Sequence, residues 1–514
     1  LRKLAALYHN EMIKLTRKTS ILVMLAVMLV GMVGYAGLIK ITTLGWDMLD
    51  EPGDAVSDQA LMRQELSSLQ QELAGANSQY EQAGETEKIE LAGWIYNLKD
   101  RIAQIDLALQ WGVSLYSDQT WRLQALDWHL ALKSEWRQLA AIPEDQKPTA
   151  ARARAVQIEQ LMTAYDRAVT AQDFSAYLAA RALQISADET IPAGIRQIQL
   201  NNLLRWQIAD PLGGLENPER SAQIMLVLEQ IEAIETTLYT NLDQSQSWLP
   251  RPLTPAGRTR LQTALTLLLY RLDTDQLPTG YTESAAWYGL DGSFSFGFFM
   301  VALIVMILAG GSIASEIATG SIKSLIIAPA RRWKIFTAKL LSLITVMIGS
   351  ALLLYGVGLI THGLFWGFDR PAYISVAHGV VFKMPFALHR LLVVLLTCVD
   401  ILVYLVFALM LSTTVRNTSA AVGVTLAIYF GSSVIQSLLS WLGPADWIRF
   451  MPFMNFGLAG RILPDMNLDL PAMAYNALET GAQPSPLFSG LYLACLLFCL
   501  LLTAYDSFCR RDIL

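Results

Sequence analysis

Residues 310–340 read GGSIASEIATGSIKSLIIAPARRWKIFTAKL. One strongly apolar run leads into this stretch and another leaves it. The stretch itself carries Glu316, Lys323, Arg331, Arg332, Lys334 and Lys339, while its flanks are almost free of charge. A polar, cation-rich segment between two apolar runs is where a membrane-spanning chain meets the cytoplasm.

The whole chain agrees with that reading. It is 53% hydrophobic and only 16% charged, where soluble domains carry about 25% charged residues. Its mean hydropathy is +0.37. Apolar runs long enough to cross a bilayer fall at 20–39, 293–310, 336–361, 389–412, 419–441 and 487–505. A cleaved signal peptide competes for the first run. The charged region before it is long and no A-x-A site follows, so an uncleaved span is expected.

The net charge of −6 hides an asymmetry. Residues 43–290 carry 33 acidic against 19 basic side chains, and the remainder carries 11 against 19. An acidic insert within a basic, membrane-embedded frame does not suggest nucleic acid as a partner. The insert is too polar to span a bilayer. Helical periodicity recurs in it, for instance at Ile89, Trp94, Leu98, Ile102, Ile105 and Leu109, and prolines separate the repeats. It is expected to be all-α, with a long helical hairpin over about 57–112 and its tryptophans in the core. Two connections remain. Residues 363–388 hold an alternating run with a glycine turn, AYISV–AHG–VVFKMP, which suggests a small β-hairpin. Residues 442–486 are broken by prolines and charges and read as an interfacial or re-entrant segment.

The cations orient this frame. With the N-terminus inside and six spans, residues 1–19, 312–335, Arg416 and Arg510–Arg511 are all cytoplasmic. Residues 1–19 form a basic amphipathic entry helix carrying Glu11, Lys14, Arg17 and Lys18, suited to lipid headgroups. The expected fold is therefore an all-α polytopic membrane protein. It has six transmembrane helices and a large, mostly helical extracytoplasmic domain at 43–290 between the first two. The coupling loop at 312–335 is expected to hold a short helix from Ala314 to Leu325 lying across the membrane face.

Catalytic signatures are missing from the sequence. There is no G-x-x-x-x-G-K-[ST] phosphate loop, and Gly320-Ser-Ile-Lys323-Ser324 imitates only its end. Five histidines, none paired at ligand spacing, and four cysteines in or beside apolar runs give neither a metal site nor a disulfide framework. No catalytic residue is assigned. Asp400 stands out, in the middle of the span LLVVLLTCVDILVYLVF. A carboxylate there costs at least about 2–3 kcal/mol. It reads either as a proton or substrate contact, or as a packing residue helped by Thr397 one turn earlier.

The ordered residues of the opening stretch resemble the signature of the type-2 ABC transporter permeases. That family has a Glu, a Gly four residues on, an apolar stretch, a Pro, basic residues and a Lys between the second and third spans. The matches are Glu316, Gly320, Pro329, Arg332 and Lys339, and Asn10 to Lys18 is similar to the family's entry helix. The resemblance covers residues 1–40 and 293–514, and the insert departs from it. It implies a permease subunit that exports an amphiphilic substrate such as a peptide, antibiotic or lipid-like molecule. A separate cytoplasmic ABC ATPase would hold the ATP and Mg. Its docking site would be the entry helix and the 312–335 loop, with Glu316, Gly320, Lys323, Pro329, Arg331, Arg332 and Lys339 in coupling. A second permease subunit, identical or related, would complete the membrane assembly. The insert would meet an extracellular protein or peptide. Two alternatives stay open: force transmission to an external domain without solute transport, and a sensor of an extracellular ligand. The implied location is a bacterial plasma membrane with both termini cytoplasmic.

Overall fold

A computed structural model describes residues 2–49, 55–118, 120–143, 145–243, 251–253, 255–277, 281–320, 331–368, 372–377, 379–441, 447–463 and 484–510. The chain divides into two compact units. The first comprises Leu1–Gly45, Thr254–Thr263 and Tyr281–Leu514, and the second comprises Trp46–Leu253 and Ala264–Gly280.

The first unit starts with α1 (Arg2–Thr16) and α2 (Thr19–Leu49). It resumes with α11 (Tyr281–Ala318), α12 (Arg332–Trp366), α13 (Phe386–Thr414), α14 (Thr418–Trp441), a short α15 (Leu458–Ile462) and α16 (Pro486–Arg510). Among the described residues, six of these helices are long and apolar enough to cross a bilayer, namely α2, α11, α12, α13, α14 and α16. The protein is an all-α, multi-pass membrane protein. Large apolar side chains point outward along the spans, such as Val30 at 73% exposure and Leu491 at 62%. In water such surfaces would drive association, whereas lipid tails accept them.

Helices α11 and α13 form the centre of this unit. Its core joins Val301, Val305, Ala309 and Ile313 of α11 to Ile401, Leu405, Ala408 and Leu409 of α13. Met28 and Met32 of α2 and Leu343, Met347 and Leu354 of α12 pack onto it. Between α12 and α13 lies an antiparallel hairpin, β3 (Tyr373–Ala377) with β4 (Val380–Met384), in the register Tyr373 opposite Met384. Gly379, with φ +77°, makes its turn. Tyr373 stacks on His389 with ring centroids 3.7 Å apart.

The second unit is built from α3 (Ala55–Gln82), α4 (Glu85–Trp111), α5 (Trp121–Ala140), α6 (Thr149–Ala171), α7 (Phe174–Ala187), α8 (Ala193–Ala209) and α9 (Pro218–Thr240). α10 (Pro255–Asp273) follows, its residues to Thr263 grouping with the first unit and those from Ala264 with the second. α3 and α4 pair around Met62, Ile105 and Ala108, with Leu126 of α5 against them. Farther along, Trp121, Phe174, Tyr177 and Trp206 form an aromatic core. Gly213, at φ +62°, passes so close to Trp121 and Phe174 that a Cβ would sit 2.3 and 2.6 Å from them. Of the tryptophans expected in the core, Trp121 and Trp206 are buried, whereas Trp94 is 38% exposed on α4. The insert also carries a two-residue strand pair, β1 (Leu242–Asp243) with β2 (Arg251–Pro252), so it is not purely helical.

One sequence expectation is corrected here. Gly310-Gly311-Ser312 does not end the second span, and no separate helix begins at Ala314. α11 continues unbroken to Ala318. The glycines serve close packing, since a Cβ on Gly310 would meet Val422 of α14 at 2.7 Å. Ser412 of α13 accepts hydrogen bonds from the backbone N–H groups of Ile313 and Ala314, at 3.2 and 2.9 Å. The described part of the loop is thereby reduced to residues 319, 320 and 331, and the remainder of the expected helix, to Leu325, lies outside the described residues. The insert boundaries shift similarly, because α2 runs on to Leu49 and residues 254–263 and 281–290 group with the membrane unit.

Gly310→Leu should lower stability by about 1–3 kcal/mol, the usual cost of overpacking. Gly349→Ala, in α12 with open space around it, should not. Thermal unfolding of the two purified variants in detergent checks the pair.

Candidate functional site

At one end of the bundle the last turn of α11, the first turns of α12 and α1 meet around Lys339, and the end of α16 reaches α12 through Arg332 and α13 through Ser507. Four of the charges expected to matter there come together. Lys339 lies about two turns into α12, with its side chain only 2% exposed. Its Nζ donates to Glu316 Oε1 of α11 at 2.8 Å and to Glu11 Oε2 of α1 at 3.1 Å. A third bond, 3.3 Å long, goes to the carbonyl of Ser312. Lys14 closes the cluster from the solvent side, 3.0 Å from Glu11 Oε1 and 3.4 Å from Glu316 Oε1.

The local sequence explains why these groups meet. On α1, Glu11 and Lys14 are one turn apart and share a face with the partly buried Leu7 and with Leu15. That face packs on α12, where the Tyr8 hydroxyl and Thr345 Oγ1 lie 2.9 Å apart. On α11, Glu316 is in the final turn. Gly320 then stops the helix with φ +71°, and its N–H bonds the Ile317 carbonyl at 3.1 Å. A left-handed glycine is the usual terminator of a helix. A buried ammonium is costly unless it is paired and its protons are used. Lys339 meets both conditions with acceptors from α1 and α11.

Electrostatics follow from this geometry. Burial pushes the Glu11 carboxyl up, but Lys339 and Lys14 outweigh it and hold the group below its ordinary value. Burial likewise pulls the Lys14 ammonium down, and Glu11 and Glu316 more than restore it, so it rises. The stabilisation from Glu11 is present above the ordinary value of 4.5 and is lost as pH falls through its depressed value. That from Lys14 is complete below 10.5 and is lost as pH rises through its elevated value.

The other expected residues are placed differently. Arg332 Nη1 donates to the Cys509 carbonyl at the end of α16, at 3.4 Å. Arg331, Arg17 and Lys18 are exposed. Lys323 and Pro329 lie outside the described residues. Asp400 is far from the cluster, at the midpoint of α13. Its Oδ2 accepts the Gly457 N–H at 3.0 Å. Thr397 does not assist it, because the threonine hydroxyl bonds its own backbone at Val393, 2.9 Å away. Sequence reasoning missed Ser412, Tyr8 and Thr345. Small polar residues within apolar spans were the only available signal for the first and last of these.

Comparison with known proteins supplies relatives but no activity. Residues 276–514 match a family described as protein of unknown function (DUF2705). That match takes in five of the six candidate spans and leaves out α1 and nearly all of the second unit. The chain is 28% identical over 271 residues to the uncharacterized protein YhcI of Bacillus subtilis (strain 168), covering 50% of this chain and 78% of the relative. It is 23% identical over 217 residues to the uncharacterized membrane protein YdbK of the same organism, covering 42% and 78%. No solved structure matches the chain.

Replacing Lys339 by Met leaves two acidic groups facing each other without their shared cation. Loss of one member of a buried pair costs about 3–5 kcal/mol. Lys339→Met should therefore loosen α1, seen as faster amide exchange over residues 2–16. Combining it with Glu11→Gln and Glu316→Gln should recover part of the protection. In the native protein, protection of α1 should be flat at neutral pH and fall as pH drops below 4.5.

Proposed function

We propose that this chain is the membrane-spanning subunit of an ATP-driven transporter of the type-2 ABC permease kind. A separate cytoplasmic subunit binds ATP and Mg and hydrolyses the nucleotide. It docks on α1 and on the segment between Ala318 and Arg332. Two permease subunits share the membrane, and the substrate is an amphiphilic molecule moved outward across a bacterial plasma membrane. The helical unit at 46–253 supplies the external part of the machine.

The observation that carries this reading is the Lys339 junction. It ties α1, α11 and α12 together where the 319–331 segment leaves and re-enters the bundle. A load applied to that segment reaches the ends of α11 and α12 at once. Ser412 extends the connection to α13 through the backbone of Ile313 and Ala314. A rigid receiving element of this kind converts closure of an attached ATPase into a shift between two bundle arrangements. A soluble ligand sensor would not need its entry helix locked to both flanks of one loop.

The test is purification of the tagged chain from its native membranes into nanodiscs, with identification and ATPase assay of whatever subunit accompanies it. An ATP-binding subunit should co-purify in near-equal amounts and hydrolyse ATP. Glu316→Ala and Arg332→Glu should each lower either recovery of the ATPase or substrate-stimulated hydrolysis by about tenfold, which corresponds to roughly 1.4 kcal/mol. Failure to recover an ATP-hydrolysing partner overturns the proposal.

A further inference from the structure

Between residues 46 and 280 the chain has a single histidine, His129. Imidazole is the side chain whose ordinary titration falls between about pH 5 and 8. Mild acid therefore acts on the second unit first through this residue.

His129 sits on α5 where α4 and α6 converge, and only 6% of it is exposed. Trp111, the last residue of α4, meets its ring at an angle of 78°, with centroids 5.3 Å apart. His129 Nε2 lies 3.5 Å from Asp166 Oδ1 of α6. The same oxygen accepts the Trp111 indole N–H at 3.2 Å. One carboxylate oxygen thus joins three helices. The α3–α4 hairpin is attached to the rest of the unit at this junction. Leu126, about one turn before His129, packs against Ile105 and Ala108 of α4 and Met62 of α3. Arg122 of α5 donates to the Trp111 carbonyl at 2.8 Å.

This arrangement suits a neutral ring. Nε2 faces the Asp166 oxygen, and the buried Nδ1 has no hydrogen-bond partner among the described residues. A proton added to Nδ1 creates a buried N–H without an acceptor and a charge removed from water, and both are costly. Two charged groups act on the ring. Asp166, with its side chain half exposed, favours the imidazolium, and Lys133 of α5 opposes it. α4 presents the neutral Trp111. Burial outweighs Asp166 and holds His129 below its ordinary value of 6.5. The stabilisation this ring gives is complete above 6.5 and is lost as pH falls through the depressed value.

We infer that His129 is an acid-operated joint in the second unit. Protonation drives the ring out of the junction, breaks its contacts with Asp166 and Trp111, and frees the α3–α4 hairpin to move against α5 and α6. At neutral pH the joint is closed. The inference goes beyond the proposed function and needs neither an ATPase nor a transported substrate, so it fails or stands independently of that reading.

The experiment follows amide exchange of the full chain in nanodiscs, corrected for the intrinsic pH dependence of exchange. Opening over residues 105–111, 122–132 and 158–169 should rise several-fold from pH 6.5 to about 5, while α8 and α9 keep their protection. In His129→Gln this acid response should vanish. Asp166→Asn keeps an acceptor for Trp111 but removes the anion that offsets burial, so its response should be larger than the native one. Lys133→Gln removes the opposing cation, so its response should be smaller. An acid response in His129→Gln equal to the native one overturns the joint, as does a loss of protection shared by α8 and α9. Should His129→Gln fail to accumulate, the other two variants decide: responses that do not move in opposite directions overturn the inference.

Discussion

A lysine ammonium removed from water must find acceptors, and Lys339 finds its acceptors on two other helices. Much of the arrangement at that end of the bundle depends on this requirement. α1 cannot lift away without exposing Glu11 and stranding the cation. α11 cannot end before Glu316 without the same loss, which is consistent with its running straight through a pair of glycines to Ala318. The last turn of α11 and the first turns of α12 are therefore clamped to each other through Glu316 and Lys339. Charge, helix length and loop attachment at this end share one physical cause.

The interior contrasts with this. Lys339 has three bonds and a fourth charge nearby, whereas Asp400 accepts the backbone N–H groups of Gly457 and Leu458. Both are ionisable groups in a mostly apolar unit, and both link elements distant in sequence. The packing between the two is dense, with Val305, Ala309, Leu405 and Leu409 fully buried along α11 and α13. Close-packed helices shift as units and do not deform locally.

The six spans were legible because twenty consecutive apolar residues have few other uses, and the cations beside them gave the segments a common side. The 373–384 hairpin was legible from alternation and a glycine turn. The end of α11 was not, because Gly310-Gly311-Ser312 looks locally like a stop. Only the presence of Val422 across the interface shows that the missing side chains make room for α14. Asp400 was conspicuous but its role was not. Its expected helper, Thr397, turned to its own backbone, and its actual partner lies 57 residues away in a segment with no regular pattern. Glu316 and Lys339 were singled out by their order in the chain, but nothing local joined Lys339 to Glu11 across 328 residues.

By itself, then, the amino-acid sequence determined the class of the protein, the number of its spans, the polar helical character of the insert and the end of the bundle that carries the cations. Each of these is a sum over neighbouring residues, so hydropathy and charge counts suffice. Tertiary structure alone decided which charges are paired, where α11 stops and what Asp400 holds. Those outcomes depend on which side chain is left without water and what lies within about 3 Å of it. Such partners are set by helix packing, and the order of residues along the chain does not encode them locally.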